Sequence, residues 1–406
     1  MRILYLSQYF PPEVGATQIR AYEMAHNWIR LGHQVTMIAE IPNHPSGIIP
    51  PAYRGMLYHR ENLDGIDVIR VWVRTSPLKN FLNRMFFYIT FMLTASAAGL
   101  ILARDHYDLI YATSPPLFVG GAALFLSWAR RIPLVFEVRD LWPESAVVLG
   151  ELSNPRAVAW ATRLEEACYK RAKKIVVVSQ EIRQRLVERN VREDKIILIP
   201  NGSDTELFEF NLSERERLKA ELGIKNKFLA LYAGNHGVAY ALETLIEAAR
   251  ILESNPSFHF LLVGEGPKKA ALATMVQEYR LSNVTMLPEQ SREVIPSFFS
   301  AADVVIIPVR NVNLLMLPVK IFDAWACRRP IILSFEGEAR QIMEAAQAGV
   351  FVPPEDPDAL AKSLLALKAA PEDRKRMGEN GRAYTVQHHS RKALAEKLIK
   401  QLEKLD

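Results

Sequence analysis

The chain has 406 residues, 49% of them hydrophobic and 23% charged, with a formal net charge of +5. That is too long for one ordinary core and predicts two domains of roughly 200 residues each; the composition excludes a disordered or collagen-like chain. Two cysteines far apart, Cys168 and Cys327, exclude a disulfide framework and point to a reducing compartment.

The start, Met1-Arg2-Ile3-Leu4-Tyr5-Leu6, runs directly into a strand pattern without the apolar run and cleavage site of a signal peptide, so folding is expected to begin at residue 1, in the cytoplasm. Arg2–Ser7 reads as a strand, followed by a loop with Gly15 and a helix ending at Gly32. Short β-branched runs recur at Val35–Ile38, Leu109–Tyr111, Leu134–Phe136, Ile175–Val178, Phe260–Val263 and Val304–Ile307, with longer amphipathic stretches between them. This is the pattern of parallel sheets whose crossovers are helices. The order restarts at Phe228–Ala233, again a strand, then Gly234-Asn235-His236-Gly237 and a helix from about Leu242 to Leu252. The turn cluster Ile199-Pro200-Asn201-Gly202-Ser203-Asp204 lies between the halves and marks the hinge. The expected organisation is residues 1–200, residues 201–385, and a C-terminal segment 386–406 whose helix, about Lys392 to Leu405, is free to pack back on the first domain.

Charge is uneven. Residues 1–200 carry 24 Lys/Arg and 18 Asp/Glu, whereas residues 201–406 carry 26 and 27. A basic first half suits an anionic lipid surface or an anionic acceptor, and it is also compatible with ordinary solvated surface. Met85 to Ala103 is nineteen residues without a charge, between Arg84 and Arg104. Its length approaches a membrane span, but spanning would put parts of one sheet on opposite sides of a bilayer. Two readings remain, a buried core helix or a helix lying in the membrane interface.

Open parallel sheets bind ligands at the carboxyl ends of their strands, so the loops after strands are the candidate sites. The first, Tyr9-Phe10-Pro11-Pro12-Glu13-Val14-Gly15-Ala16-Thr17, places Gly15 at a helix start, where backbone can approach an anion; a plain turn is the competing reading. Neither half carries GxGxxG, which excludes a dehydrogenase. In Phe136-Glu137-Val138-Arg139-Asp140-Leu141-Trp142-Pro143-Glu144, Arg139 is a candidate bidentate phosphate partner. Asp140 is a candidate to orient an acceptor hydroxyl or take its proton, unless the two residues form a salt bridge that closes the sheet end.

In the second half, Asn235 and His236 flank glycines suited to backbone contact with phosphate, although a lone histidine is commonly structural. Val263-Gly264-Glu265-Gly266-Pro267-Lys268 repeats the motif, with Gly264 and Glu265 as candidates, and Pro288 and Glu289 of Met286–Gln290 suit a flat base; both stretches also read as simple turns. The richest stretch is Pro308-Val309-Arg310, a loop from Asn311 to Leu317, and Pro318-Val319-Lys320-Ile321-Phe322-Asp323. Proline just inside a helix start is favoured, and the amides of Val319 and Lys320 then point outward beside a lysine charge, a competent diphosphate site. Asp323, one turn beyond Lys320, suits ribose hydroxyls, or else forms an exposed i,i+3 ion pair.

At these loops the chain resembles the family-4 retaining glycosyltransferases of the GT-B fold over nearly its whole length. The resemblance rests on Gly15, Gly32-His33-Gln34-Val35, Ile199-Pro200-Asn201-Gly202, Leu262-Val263-Gly264-Glu265-Gly266-Pro267, Ala302-Asp303-Val304-Val305 and Pro318-Val319-Lys320-Ile321-Phe322-Asp323, in that order. Phe136–Glu144 and Pro42-Asn43-His44-Pro45-Ser46-Gly47 further resemble the branch that transfers sugars, often amino sugars, in surface-polysaccharide assembly. The resemblance implies an α/β GT-B architecture, two Rossmann-like domains with parallel sheets facing a central cleft. It implies a nucleotide-sugar co-substrate, in the first place a UDP-sugar, held mostly by the second domain. A saccharide or polyprenyl-diphosphate-linked saccharide acceptor would sit mostly on the first. It also implies hexosyl or N-acetylhexosaminyl transfer with retention of configuration, and no metal or other cofactor. By position, Gly15 would meet the diphosphate, Pro288-Glu289-Gln290 the base and Asp323 the ribose. No nucleic-acid partner is expected, and peripheral contact with the cytoplasmic face of the inner membrane is compatible with the basic first half.

The chain departs from the family pattern at three places. The first of two glutamates eight positions apart is Leu315, and the second is Asp323. The usual Arg and Lys after the second domain's first strand are replaced by Asn235 or His236 and by Tyr240, and Arg139 stands where many relatives have histidine. Arg139, Arg310 and Lys320 are the candidate substitute cations. The expected mechanism has cationic groups and helix amides stabilising the leaving diphosphate, while the acceptor attacks from the same face and gives its proton to the departing phosphate. The alternatives are a nucleotide-sugar epimerase or hydrolase on the same scaffold, and a non-catalytic nucleotide-sugar-binding subunit.

Overall fold

The computed structural model describes residues 1–44, 46–78, 81–312 and 314–405. Pro45 and Asn313, which fall in two of the loops singled out above, lie outside the described residues. The chain divides into two units: residues 1–200 together with the segment from Lys392 onward, and Asn201–Arg391. The return to the first unit falls at Lys392 rather than at 386.

The first unit holds β1 (Arg2–Leu6), β2 (Gln34–Glu40), β3 (Tyr58–Leu63), β4 (Ile66–Val71), β5 (Leu109–Ser114), β6 (Leu134–Val138), β7 (Lys174–Val177) and β8 (Ile196–Leu198) in the order β3-β4-β2-β1-β5-β6-β7-β8. All neighbours pair parallel except β3, which runs antiparallel on β4. The helices are α1 (Ala16–Arg30), α2 (Phe81–Ile101), α3 (Phe118–Arg130), α4 (Glu144–Val148), α5 (Pro155–Arg171) and α6 (Gln180–Glu188). Strands β5 and β6 are buried along their whole length, as strands covered on both faces must be.

The second unit holds β9 (Phe228–Ala233), β10 (Phe258–Val263), β11 (Val284–Leu287), β12 (Val304–Pro308), β13 (Ile331–Ser334) and β14 (Gly349–Phe351), all parallel, ordered β11-β10-β9-β12-β13-β14. Its helices are α7 (Leu212–Glu221), α8 (Leu242–Ile251), α9 (Lys269–Glu278), α10 (Ile295–Ala301), α11 (Lys320–Ala326), α12 (Glu338–Ala346), α13 (Pro357–Ala369) and α14 (Pro371–His388). This is the doubly wound order, in which successive strands are laid down outward from β9 on one side and then on the other. The last helix, α15 (Arg391–Leu402), puts Leu394, Leu398 and Leu402, four residues apart, into the first unit's core with Trp28, whose Nε1 donates to the Ala395 carbonyl at 3.1 Å. Each such buried leucine contributes about 2 kcal/mol.

Every strand run expected from the sequence is present, and the β3–β4 hairpin is an addition. The core reading of the uncharged 85–103 segment does not hold. α2 buries only Phe91, Ala95, Ala98 and Gly99 and leaves the rest of its apolar surface partly or fully exposed.

Candidate functional site

In each sheet the strand order reverses at one point, between β9 and β12 in the second unit and between β1 and β5 in the first, and it is at the carboxyl ends beside such a point that open α/β sheets bind ligands. The second unit's candidate loops follow β9, β10, β11 and β12, four adjacent strands, and so share one edge of the sheet.

The turn after β9 is locked to its neighbour. The Gly234 N–H donates to the Val263 carbonyl, the His236 N–H to the Glu265 carbonyl and the Lys268 N–H to the His236 carbonyl, at 2.8–3.0 Å. The backbones cross so closely that a Cβ on Gly264 would lie 2.0 Å from the Gly234 oxygen, and one on Gly266 2.6 Å from the His236 carbonyl carbon. Gly264 and Gly266 are thus required by packing between two turns, whatever they do for a phosphate. Glu265 is paired with Lys269 at 2.5 Å, and the same ammonium also donates to the Gly264 and Leu287 carbonyls. Pro288 and Glu289 follow β11 and are exposed; burial, then the nearby Glu265 charge, raises the Glu289 carboxyl above its usual range.

His236 is fully buried, and neither ring nitrogen has a hydrogen-bond partner among the described residues. Burial, reinforced by the Lys269 charge, lowers its pKa to about 4, so it is neutral at pH 7. Asn235 and Gly234 beside it are exposed.

Lys320 is the focus of this unit. Its side chain is buried, with Nζ 3.0 Å from the Tyr232 hydroxyl, 3.7 Å from the centre of the Tyr240 ring, and 3.2 Å from where a Cβ on Gly234 would stand. The ammonium, carried on α11 after β12, therefore meets the turn after β9 at the switch point. It lies against the ring of Tyr240, the residue that stands where the resemblance implies a lysine. Burial lowers its pKa to about 7, with Asp323 acting in the opposite direction. The helix begins two residues later than expected: Val319 is its N-cap and Lys320 its first residue, so Pro318 stands just before the helix rather than inside it. Asp323 sits one turn along α11, and the Leu317 carbonyl ahead of the helix is held by Asn201 Nδ2 at 2.9 Å.

Arg310 does not serve as a free cation. Its guanidinium donates to both Glu243 oxygens at 2.9 Å, to Glu355 at 3.2 Å and to the Val238 carbonyl at 2.9 Å, which spends it on fastening the β12 loop.

In the first unit Gly15 is the N-cap of α1, and a Cβ there would lie 2.4 Å from Gln18 Oε1. The loop expected from Phe136 onward begins only at Arg139, since Glu137 and Val138 belong to β6. Glu137 is fully buried and holds Arg20 of α1 at 2.8 Å, while Thr113 Oγ1 donates to its other oxygen at 2.6 Å. Burial alone would raise the Glu137 pKa, but Arg20 and Arg139 outweigh it and hold the carboxyl below its usual value. Arg20 also donates to the Ile199 and Pro200 carbonyls, tying α1 and β6 to the chain as it leaves the unit. Arg139 follows β6, its N–H bonded to the Ser114 carbonyl at the end of β5, which brings the two strand ends together. Asp140 is raised above the usual aspartate range by burial, against the opposing pull of the Ser145 hydroxyl and Arg139.

Two residues that the sequence reading passed over shape this edge. Glu13 Oε1 accepts the N–H groups of Asn43 and His44, each at 2.6 Å, and so clasps the loop after β2 to the loop after β1. Glu40 binds Gln8 and Asn43 beside it.

Two α/β units with parallel sheets in one chain are the architecture of the GT-B class of glycosyltransferases. Residues 15–202 match the family described as glycosyl transferase 4-like domain, and residues 214–384 match glycosyl transferases group 1. The chain belongs to the family-4 glycosyltransferases of the GT-B fold. Among its relatives is the putative colanic acid biosynthesis glycosyl transferase WcaI of Escherichia coli K12, 25% identical over 90% of this chain and 91% of that one. The alpha-D-kanosaminyltransferase of Streptomyces kanamyceticus is 25% identical over 69% of this chain and 73% of its own length. The fold is similar to sucrose-phosphate synthase from Thermosynechococcus elongatus (TM-score 0.78, 22% identity, 100% of this chain and 98% of that one). It is also similar to Anabaena HepE in complex with UDP-glucose (TM-score 0.74, 18% identity, 99% of each chain).

Proposed function

We propose that the protein is a retaining glycosyltransferase that takes a UDP-sugar on its second unit and transfers the sugar to a saccharide or lipid-linked saccharide held by the first, in the assembly of a surface polysaccharide. The observation that carries this reading is Lys320, a cation buried at the β9/β12 switch point, against an exposed glycine turn and at the start of a helix. A diphosphate lying along Gly234 and Asn235 would gain the ammonium charge and the amides of Val319 and Lys320, those of Ile321, Phe322 and Asp323 being taken by the Pro318 and Val319 carbonyls. Asp323 would accept from ribose hydroxyls, whereas His236 is fully buried under the turn. The relatives' printed names, a putative colanic acid enzyme and a kanosaminyltransferase, support a role in glycoconjugate synthesis.

In this mechanism the charge that develops on the departing diphosphate is met by groups already in place, with no metal required. The acceptor hydroxyl attacks carbon 1 from the face the leaving group vacates. Its proton passes to the leaving phosphate oxygen, so configuration is retained without a side-chain nucleophile. Asp140 orients the acceptor, and Arg139 supplies positive charge beside it. The protein is proposed to work in the cytoplasm, where nucleotide-sugars are made. The test is a thermal-shift screen of nucleotide-sugars, followed by proton NMR of the product formed from the donor that binds. A product with the donor's anomeric configuration supports the reading; an inverted product, or donor turnover without acceptor as the main reaction, overturns it.

A further inference from the structure

A helix on the outside of a soluble domain buries one stripe and turns charged or polar residues outward. α2 does not. Opposite its buried stripe it exposes Leu82, Phe86, Leu93 and Leu100, Leu82 and Leu93 at 65% and 60%, at spacings that place all four on one face. α3 extends this surface with Phe125 and with Trp128, which is 73% exposed. The two helices lie in direct contact, since a Cβ on Gly99 would stand 2.4 Å from Leu126 Cδ1, and one on Gly121 2.4 Å from Met92 Sδ. Neither helix contains an acidic residue. Exposed arginines stand at both ends: Arg74, with its guanidinium 4.6 Å from the Phe86 ring centre, at one, and Arg104 and Arg131 at the other.

We propose that this face, the outer stripe of α2 with Phe125 and Trp128 of α3, docks into the headgroup region of an anionic lipid bilayer. A continuous apolar stripe with an exposed tryptophan and exposed arginines at both ends, with Asp105 the exposed carboxylate next to Arg104, is the chemistry of an interfacial element. The excess of 24 Lys/Arg over 18 Asp/Glu in residues 1–200 adds a long-range attraction to the same surface. α2 lies on the surface rather than crossing it, because β4 and β5 at its two ends are strands of one sheet.

Docking also has a consequence for the acceptor. The inner side of α2 places Phe87 6.3 Å from the Tyr9 ring, and Tyr9 lies 5.3 Å from His44, so the helix is packed onto the loops after β1 and β2. With α2 seated on lipid, those loops lie near the headgroups, where a lipid-diphosphate-linked saccharide presents its sugar. This consequence rests on the acceptor role proposed for the first unit; the docking itself does not.

The experiment is co-sedimentation of the full chain with vesicles of phosphatidylglycerol and phosphatidylethanolamine, compared with pure phosphatidylcholine, with no donor or acceptor present. Binding to the anionic vesicles is expected to be at least about tenfold stronger and to weaken as salt is raised. The double variant Leu93→Glu, Trp128→Glu is expected to lose about tenfold or more while keeping the wild type's circular dichroism spectrum and cooperative thermal unfolding, which shows that it is folded. A wild type that stays in the supernatant, or a double variant that still binds, overturns the proposal. So does a wild-type dimer that Leu93→Glu dissociates without any vesicle binding, since a second copy would then cover the face. Because vesicle binding is read without turnover, its failure leaves the donor assignment standing, and failure of the donor assignment leaves vesicle binding standing.

Discussion

Lys320 Nζ donates to the Tyr232 hydroxyl at 3.0 Å, and that hydroxyl donates in turn to the Asn235 carbonyl at 2.6 Å. One short chain of hydrogen bonds thus fixes a buried cation to the glycine turn after β9. Burial has brought the ammonium to a pKa of about 7. The unfolded value is near 10.5, so the unfolded chain binds more protons between about pH 7 and 10.5, and this group makes stability rise with pH over that window. A bound diphosphate favours the charged form. UDP binding is therefore expected to take up a proton above pH 7 and to weaken as pH rises, by at most about tenfold per unit. Calorimetry in two buffers of different ionisation enthalpy reads the proton directly.

Gly264→Ala is expected to destabilise the second unit by about 3 kcal/mol, because its Cβ would fall 2.0 Å from the Gly234 oxygen and force the two turns apart. The midpoint of urea unfolding measures the loss. UDP affinity falls with it, since the displaced turn is the one that covers Lys320.

Arg20 and Glu137 form a buried ion pair at 2.8 Å. Arg20→Met leaves a carboxylate without its main partner and is expected to cost about 3–5 kcal/mol, whereas adding Glu137→Leu recovers much of that. Thermal denaturation of the single and double variants provides the comparison. Since Glu137 is held below its usual pKa, its contribution is present above the unfolded value of about 4.5 and is lost as pH falls through the folded one.

Glu13 behaves in the opposite sense. Burial raises it to about 7, so the folded chain binds more protons than the unfolded one between about pH 4.5 and 7, and stability falls as pH rises through that window. Glu13→Gln keeps an oxygen to accept the Asn43 and His44 N–H groups and is expected to flatten this slope. Glu13→Ala leaves both donors unmet and is expected to cost about 2 kcal/mol. Unfolding free energies from pH 5 to 8 separate the two variants.

The alternation of strands and helices and the break at Pro200 were legible in the sequence because buried parallel strands are nearly continuous apolar runs. The β3–β4 hairpin was missed although its signal was present: Asp64-Gly65, both at positive φ, is a two-residue hairpin turn between alternating strands. Lys320 was legible from its place at a helix start after a strand. Its aromatic surroundings were not, because Tyr232 lies 88 residues away in sequence. Arg310 looked available for the same reason, since Glu243 is 67 residues distant. Gly264 and Gly266 resembled a phosphate loop because backbone crossing and phosphate approach both demand glycine. The uncharged run in α2 gave its composition plainly, but which of its sides stays open depends on where α3 packs.

Whether Lys320 grips the donor's diphosphate is read by titration calorimetry of UDP into Lys320→Ala at pH 7. A charge-assisted contact of this kind contributes about 1.5–3 kcal/mol, so affinity is expected to drop by roughly ten- to a hundredfold. UDP binding to Lys320→Ala as tightly as to the wild type would mean that the ammonium takes no part in holding the donor.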